Sequence, residues 1–276
     1  MKKPIIMDGK PVAEIYRERI ALKIAERAAL GKKTTLALIL VGDNGPSLAY
    51  LKRIVKLTES LGGTARVCAF PSTVSQDEVL SCVSRLNRSR TVQGIMPLFP
   101  MPPQIDDEVI GNAVAPAKDL DCVNSLNVGR FYAGQSPWAP ATARACMALL
   151  HYYNISMDGK FAVVLGRSNV VGKPVAYMLM AENATVAVCH SHSKNIGQIC
   201  SRADILVSAV GKPGLVTPDM VKPGAVLVDV GINVTKQGIV GDVAPECYAK
   251  ASAYSPVPGG VGTVCNVMLL ECLVAK

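Results

Sequence analysis

The sequence Gly166-Arg-Ser-Asn-Val-Val-Gly-Lys-Pro174 stands between an apolar run, Phe161–Leu165, and a segment with a helical pattern, Val175–Ala181. The apolar run has the length and composition of a buried strand, and Pro174 is typical of the first turn of a helix. A strand, a glycine turn and a helix present backbone N–H groups and the positive end of a helix dipole to a phosphate. The stretch therefore predicts a nucleotide site.

This glycine turn differs from the two common phosphate-binding motifs. A Walker A loop has four residues between its glycines and then Lys-Ser or Lys-Thr, whereas five residues separate Gly166 from Gly172, and Pro174 follows Lys173. Arg167-Ser168 also replaces the second glycine of a dinucleotide G-x-G-x-x-G motif. The turn alone leaves a plain strand-to-helix connection open, so the rest of the chain has to decide.

Strand and helix patterns alternate along both halves of the chain. The second half predicts strands at 161–165, 185–189, 204–210 and 225–230, with helices centred on 177, 198 and 220. The first half predicts strands at 35–41, 65–70 and 92–96, with helices at 12–30, 47–61, 75–88 and 106–113. Such alternation is typical of parallel sheets with right-handed crossovers. We therefore predict two α/β domains, the second with a Rossmann-type parallel sheet, joined near Ser136–Pro140.

The composition of the 276-residue chain excludes several classes of function. No apolar run approaches a membrane span and no signal peptide is recognisable, so a cytoplasmic protein without membrane attachment is expected. The net charge of +8 favours anionic partners, but basic residues are scattered and aromatic residues are only 5% of the chain, which argues against nucleic acid. Nine cysteines without a C-x-x-C pair, and three histidines without ligand spacing, indicate reduced thiols and no metal site.

The residues after the second strand of the Rossmann-type half indicate which cofactor binds. An acid at this position holds the ribose 2′-OH of NAD, whereas a basic residue nearby favours the 2′-phosphate of NADP. The strand ends Cys189-His-Ser-His-Ser-Lys194, without an acid. Arg167 can reach the same place and Ser191 can donate a hydrogen bond, so we predict NADP. The alternative is that Arg167 caps the turn and points to solvent.

Several motifs taken together resemble the methylenetetrahydrofolate dehydrogenase/cyclohydrolase family. Besides the glycine turn, the second half has Ala-Val-Gly-Lys-Pro-Gly (209–214), Val-Asp-Val-Gly-Ile-Asn (228–233), Val-Gly-Asp-Val (240–243) and Pro-Val-Pro-Gly-Gly-Val-Gly (256–262). The first half has Asp8-Gly-Lys10, Lys118-Asp-Leu-Asp121 and Asn127-Val-Gly-Arg130. The motifs follow the family's order over essentially the whole chain.

The resemblance implies two α/β domains with a ligand cleft between them, in a protein that is typically a homodimer. Residues 1–138 would form the folate-binding and catalytic domain and residues 139–265 the NADP-binding domain, with the C-terminal helix of residues 266–276 packed back on the first. Tetrahydrofolate derivatives would bind in the cleft against the first domain. The family oxidises 5,10-methylenetetrahydrofolate to the methenyl form and usually hydrolyses this to 10-formyltetrahydrofolate, in one-carbon metabolism.

The resemblance also implies roles for individual residues. Tyr50 matches the tyrosine that stacks near the folate and Asp121 the carboxylate that holds the donor edge of the pterin, so both are predicted catalytic residues. The predicted substrate contacts are Tyr50, Leu98, Asp121, Pro258, Gly259 and Gly260. The predicted cofactor contacts are Thr142, Gly166, Arg167, Ser168, Val170, Ser191, Gly211 and Ile232. No metal ligand is predicted.

The sequence departs from the family at the residues that serve hydrolysis. The family's helix reads Tyr-x-x-x-Lys, with the lysine as principal acid/base group, whereas this chain has Ile54 at the lysine position and Leu98 in place of the partner glutamine. Further departures are Cys122 for the glycine of Asp-x-Asp-Gly, Thr142-Ala-Arg-Ala145 for Thr-Pro-Arg-Gly, and Thr263-Val-Cys265 for Pro-Met-Thr.

Neighbouring cations are not expected to replace the lysine. At about 100° per residue, Arg53 lies about 100° and Lys56 about 200° around the helix from Ile54. Arginine also stays protonated near neutral pH, so it cannot act as a base.

The two activities of the family differ in what they require. Hydrolysis needs a positioned acid/base, which typically contributes about 10²–10⁴-fold, whereas hydride transfer mainly needs proximity and orientation. The sequence therefore predicts an NADP-dependent methylenetetrahydrofolate dehydrogenase with weak or absent cyclohydrolase activity. Two alternatives stay open: an enzyme that retains both activities in a rearranged cleft, and a catalytically impaired nucleotide-binding homologue.

Overall fold

The computed structural model describes residues 3–135, 138–236 and 238–275, which form two compact α/β units. One unit contains the N-terminal residues up to Glu14 together with Pro140–Met268, and the other contains Ile15–Ala139 with the C-terminal residues from Leu269 on. Each unit is built on its own parallel sheet. The predicted α/β class with two domains, the second on a parallel sheet, is therefore confirmed.

The elements of both units are numbered in chain order. The strands are β1 (Ile5–Ile6), β2 (Thr35–Val41), β3 (Thr64–Phe70), β4 (Gly94–Pro97), β5 (Phe161–Leu165), β6 (Thr185–Cys189), β7 (Ile205–Ser208), β8 (Val226–Asp229), β9 (Asn233–Thr235), β10 (Gly238–Val240) and β11 (Ala253–Tyr254). The helices are α1 (Gly9–Ala29), α2 (Gly45–Ser60), α3 (Gln76–Arg88), α4 (Asp107–Ala113), α5 (Ser125–Tyr132), α6 (Ala141–Tyr152), α7 (Gly172–Ala181), α8 (Ile196–Cys200) and α9 (Val261–Glu271). No helix in these described ranges has both the length and the apolar character needed to cross a bilayer.

The smaller sheet has the order β3-β2-β4. All residues of β2 are buried because it is the central strand, whereas the edge strand β3 alternates between exposed and half-buried positions. The core of this unit packs Ile39 of β2 against Val79 and Val83 of α3 and Ile110 of α4. A capping box starts α3: the N–H of Glu78 donates to Oγ of Ser75, and the N–H of Ser75 donates to the Glu78 carboxylate.

The larger sheet has the order β1-β11-β8-β7-β5-β6, and all its pairings are parallel. If β5, β6, β7, β8 and β11 are numbered 1 to 5, the sheet read from β6 has the order 2-1-3-4-5 of a doubly wound sheet. In such a sheet, ligands bind at the switch point between strands 1 and 3, which here are β5 and β7. The register pairs Leu165 with both Cys189 and Ser208, so the strands end at one edge. The glycine turn after β5 and the loops after β6 and β7 therefore leave the sheet side by side.

Several predicted boundaries differ from the structure. The predicted first domain began at residue 1, whereas β1 pairs with β11 of the larger sheet, because Ile5 and Ile6 hydrogen-bond beside Ala253 and Tyr254. The helix predicted around residue 220 is a short 3₁₀ turn, Pro218–Met220, and β1, α5, the β9–β10 hairpin and β11 were not predicted. Of the predicted crossing at Ser136–Pro140, residues 136 and 137 lie outside the described residues.

The side chain of Lys118 caps the end of α3 and is expected to stabilise the protein. Its Nζ donates hydrogen bonds to three carbonyl oxygens at the end of α3, those of Leu86 (2.8 Å), Asn87 (2.8 Å) and Ser89 (2.6 Å), and burial lowers its pKa. Lys118→Met leaves these carbonyls without a donor, so the free energy of unfolding in urea should fall by about 2–3 kcal/mol. Lys56→Met, at an exposed position of α2, is the control and should change it by less than about 0.5 kcal/mol. Equal losses would show that Lys118 does not cap α3.

Candidate functional site

The glycine turn after β5 is shaped by two close backbone approaches. Gly166 has a φ of 113°, and its N–H donates to the carbonyl oxygen of Cys189 at 2.8 Å. A Cβ at Gly166 would lie 2.4 Å from the carbonyl oxygen of Ala209, and a Cβ at Gly172 would lie 2.2 Å from the carbonyl oxygen of Gly166. Both positions therefore require glycine, because a Cβ at either would clash with a backbone carbonyl at the switch point of the sheet.

The interior of the turn is held by its own side chains. Oγ of Ser168 accepts hydrogen bonds from the N–H groups of Val171 (3.2 Å) and Gly172 (3.3 Å), and Nζ of Lys173 donates to Oδ1 of Asn169 at 2.7 Å. The N–H groups that the sequence predicted to be free for phosphate are thus partly occupied, which corrects that expectation. Oγ of Ser168 is the acceptor in both of these hydrogen bonds, so its hydroxyl proton can be donated to a phosphate oxygen.

The side chains expected to select the cofactor stand at the ends of neighbouring strands. Arg167 and Val170 are exposed, and so is Ser191 after β6. The N–H of His190 donates to Oγ of Ser193 at 3.0 Å, which folds the segment after β6 into a tight turn. Since Leu165 pairs with Cys189, Arg167 and Ser191 leave adjacent strands at the same edge.

The remaining predicted cofactor contacts lie in the same unit. Gly211, with a φ of 64°, is in the loop after β7, and Ile232, 62% exposed, is in the segment between β8 and β9. Thr142 lies in the first turn of α6, where its Oγ1 and Sγ of Cys265 form a hydrogen bond at 3.2 Å. Pro258, Gly259 and Gly260 also belong to this unit.

Gly259 and Gly260 form a turn against the start of α1. The carbonyl oxygen of Gly259 accepts a hydrogen bond from the N–H of Gly9 at 2.7 Å, and a Cβ at Gly9 would lie 2.3 Å from the carbonyl oxygen of Gly260. Gly259 has a φ of 113°, and the peptide bond before Pro258 is cis. The close approach at Gly9 therefore fixes the turn of Gly259 and Gly260 against the start of α1.

Sequence reasoning missed two buried carboxylates in this unit, Asp229 and Asp242. The carboxylate of Asp229 accepts hydrogen bonds from the N–H groups of Gly231 (2.9 Å), Asp242 (3.0 Å) and Val243 (2.9 Å). Burial raises the pKa of Asp229 to about 6, against the opposing effect of these three donors. Only the presence of both residues in motifs that resemble the family could have drawn attention to them.

In the other unit, the side chains of α2 around the position of the family's lysine differ in how far they are exposed. Ile54 is 0% exposed, Tyr50 one turn earlier is half-buried, and Arg53 and Lys56 are exposed. The two cations therefore point away from the side of α2 that buries Ile54. Lys118 is already engaged by three carbonyls, as described above.

Leu98 follows the last residue of β4. Its N–H donates to the carbonyl oxygen of Ile39 at 2.9 Å, and only 5% of its surface is exposed. Pro97 is the last residue of β4, an edge strand, where the missing N–H of proline is tolerated. Positions 54 and 98 are thus both buried and apolar.

The turn that carries Asp121 is organised by Asp119. The carboxylate of Asp119 accepts hydrogen bonds from the N–H groups of Val123 (3.1 Å) and Asn124 (3.0 Å) and from Nδ2 of Asn127 (2.8 Å). Asp121 is half-buried. Cys122 has a φ of 56°, in the left-handed region that favours glycine, and burial raises its pKa to about 12. Asp119 therefore holds the backbone of the turn that carries Asp121.

Comparison with known proteins covers both units. The model for the catalytic domain of tetrahydrofolate dehydrogenase/cyclohydrolase matches residues 7–121, and the model for the NAD(P)-binding domain of the same family matches residues 140–276. The bifunctional protein FolD of Clostridium kluyveri is 42% identical over 273 residues, which cover 98% of this chain and 96% of that protein. The FolD of Moorella thermoacetica is 42% identical over 268 residues, covering 96% of each.

Two solved structures extend the comparison to the fold. The bifunctional FolD from Campylobacter jejuni has a TM-score of 0.95 at 38% identity, covering 98% of this chain and 96% of that chain. The dehydrogenase-cyclohydrolase of Trypanosoma brucei, in complex with an NADP cofactor and an inhibitor, has a TM-score of 0.93 at 34% identity, covering 99% and 97%. The NAD(P)-binding model and this complex support the prediction of NADP. The chain belongs to the tetrahydrofolate dehydrogenase/cyclohydrolase family, whose catalytic and NAD(P)-binding domains it carries in sequence.

Proposed function

We propose that this protein is an NADP-dependent methylenetetrahydrofolate dehydrogenase in which the cyclohydrolase activity of the family is weak or absent. The observation that carries this proposal is the contrast between its two sites. The glycine turn keeps the backbone approaches of a dinucleotide site, whereas position 54 holds a fully buried isoleucine where the family has its acid/base lysine.

The described residues fit a dinucleotide at the carboxyl edge of the larger sheet. Gly166 and Gly172 let the turn pack tightly against backbone carbonyls, which a Cβ at either position would prevent. The further contacts that we propose are Ser168, Val170, Gly211, Ile232 and Thr142. The segment after β6 has no acid to repel a 2′-phosphate, and the exposed Arg167 and Ser191 can bind one. When bound, NADP accepts the hydride in the reaction.

In the smaller unit, we propose that Tyr50 stacks on the folate and that the carboxylate of Asp121 accepts hydrogen bonds from the donor edge of the pterin. Leu98 would contact the substrate through its apolar side chain, and we assign Pro258, Gly259 and Gly260 to the substrate as well. Oxidation of methylenetetrahydrofolate is driven by the lone pair of a folate nitrogen, which forms the methenyl double bond as the hydride leaves. The chain therefore needs to bind and orient the substrate, without moving a proton.

Hydrolysis of the methenyl bridge makes a different demand, because water must be activated and protons moved. Ile54 and Leu98 have no group that can do this. Arg53 and Lys56 are exposed on other parts of α2, and the Nζ protons of Lys118 are directed at three carbonyls. These arrangements support a slow hydrolytic step.

The test follows both products in one reaction. Purified protein is mixed with methylenetetrahydrofolate and NADP, and NADPH and the methenyl chromophore are recorded together. We expect NADPH to form. We expect the methenyl product to disappear no faster than it does in buffer without the protein. Loss of added methenyltetrahydrofolate as fast as NADPH forms would contradict a weak or absent cyclohydrolase activity. Tight NADP binding without NADPH formation would contradict the dehydrogenase.

Arg167→Ala tests the choice of cofactor. A charge-assisted hydrogen bond contributes about 1.5–3 kcal/mol, so loss of the guanidinium should raise the KM for NADP by about 10–100-fold. NAD has no 2′-phosphate and serves as the internal control, since its KM should change less than about twofold. Initial rates of reduced cofactor formation at saturating folate give both values. A parent chain that prefers NAD, or equal effects on both cofactors, would contradict the assignment of Arg167.

We further propose that the protein is a homodimer, as the family resemblance implies. Sedimentation equilibrium should give twice the chain mass of 29.1 kDa, and the mass of a single chain would contradict the proposal.

A further inference from the structure

One buried carboxylate connects two segments that carry proposed cofactor contacts. Asp242 follows β10 and is 0% exposed. Its Oδ2 accepts hydrogen bonds from the N–H groups of Val210 (2.8 Å) and Gly211 (3.2 Å). Its Oδ1 accepts hydrogen bonds from the N–H of Lys212 (2.8 Å) and from Nδ2 of Asn233 (3.0 Å). The carboxylate therefore fixes the loop after β7 and the first residue of β9 at the same time.

The position of this carboxylate is itself determined by its surroundings. Oγ of Ser208 donates to Oδ2 at 3.2 Å, and the N–H of Asp242 donates to Oδ1 of Asp229 at 3.0 Å. A Cβ at Gly231 would lie 2.2 Å from Oδ1 of Asp242, so the absence of a side chain at Gly231 is what admits the carboxylate. Because donors from β7, from the loop after it and from β9 converge on these two oxygens, the arrangement specifies one backbone geometry.

We propose that Asp242 is a positioning residue for the dinucleotide, which holds the Val210–Lys212 loop and the segment of Ile232 in the conformation that binds the cofactor. The inference rests on the proposed function, in which Gly211 and Ile232 contact NADP. Gly211 populates many backbone conformations when unrestrained, so the single conformation with a φ of 64° needs an external restraint. Ile232 is largely exposed and directly precedes Asn233. The side chain of Asn233 donates to Asp242, so this hydrogen bond restrains the segment that carries Ile232.

Asp119 of the other unit provides a matched control. It is 5% exposed, and like Asp242 it accepts hydrogen bonds from backbone N–H groups and from an asparagine side chain. In both residues, Asp→Asn replaces one acceptor oxygen by an NH₂ group that faces N–H donors, so both variants should lose stability. The segments held by Asp119 carry no proposed cofactor contact, so a purely structural effect and a positioning effect can be separated.

The experiment compares Asp242→Asn, Asp119→Asn and the parent chain by calorimetric titration with NADP and by hydrogen exchange of the free proteins. We expect the Kd for NADP to rise about 10–100-fold in Asp242→Asn, in line with the loss of hydrogen bonds to a charged group, and to change less than about twofold in Asp119→Asn. Exchange at Gly211 and Lys212 should accelerate at least about tenfold in Asp242→Asn and stay at the parent rate in Asp119→Asn.

A folded Asp242→Asn variant with the parent Kd for NADP and parent exchange at Gly211 and Lys212 overturns the proposal. If that variant does not fold, Asn233→Ala is measured instead, because it removes one donor and keeps the carboxylate. A rise in Kd of about three- to tenfold then supports the proposal, and an unchanged Kd contradicts it. A parent chain that binds no NADP contradicts the proposed function, while the exchange rates still decide whether Asp242 holds the loop.

Discussion

The double variant Ile54→Lys, Leu98→Gln is expected to hydrolyse methenyltetrahydrofolate about 10²–10⁴-fold faster than the parent chain, which is the range that a positioned acid/base contributes. Both replaced side chains are buried, with 0% and 5% of their surface exposed. Burial disfavours the charged form of an amine, so the pKa of the new lysine should lie below its ordinary value. A larger neutral fraction near pH 7 would then be available to take a proton from water. The decay of the methenyl absorbance, corrected for the buffer rate, measures the gain.

The matched control is Ile54→Met, Leu98→Gln, because methionine has an unbranched side chain of similar length without an amine. Both double variants bury the same new amide, and the lysine variant also buries an amine, so it should lose more stability than the methionine variant. NADPH formation in the same preparations reports whether the folate and dinucleotide sites are intact. If the two double variants form NADPH and hydrolyse the methenyl compound equally fast, position 54 is not the site of the missing base.

The strands and the glycine turn could be predicted from the sequence because local patterns determine them. The predicted bounds of β2, β5 and β6 agree with the structure, since each is a short apolar run between turn residues. The glycine turn could be predicted from the spacing of Gly166 and Gly172 alone. By contrast, β1 buries little and its pairing depends on residues almost 250 positions away, as Ile5 pairs with Ala253, so no local pattern could reveal it.

The candidate site could be predicted only in part, for a similar reason. The resemblance identified positions 54 and 98 as apolar replacements, and helix periodicity gave the directions of Arg53 and Lys56. The engagement of Lys118 with three carbonyls could not be predicted, because those carbonyls belong to α3 and the residues after it. Asp242 was missed because its hydrogen-bond donors come from separate stretches of the chain that only the folded sheet brings together.

Gly172→Ala is expected to lower the turnover of the dehydrogenase by about 10²-fold or more, because a misplacement of about 1 Å at a binding site can cost that much. The added Cβ would lie 2.2 Å from the carbonyl oxygen and 2.5 Å from the carbonyl carbon of Gly166, and both are backbone atoms that no rotamer change can move. The turn and the start of α7 must therefore separate. Overpacking of this kind should also lower the free energy of unfolding by about 1–3 kcal/mol.

Gly129→Ala is the matched control for this variant. Gly129 lies within α5, and a Cβ there would meet no heavy atom within 4 Å. The same chemical change should therefore stabilise the protein by about 0.5–1 kcal/mol, since alanine favours a helix interior over glycine, and leave NADPH formation unchanged. Urea unfolding and initial rates measure both variants. A Gly172→Ala protein with the stability and turnover of the parent would contradict this prediction. It would show that the turn can shift away from the added Cβ, and that its close approach to Gly166 does not determine the geometry of the cofactor site.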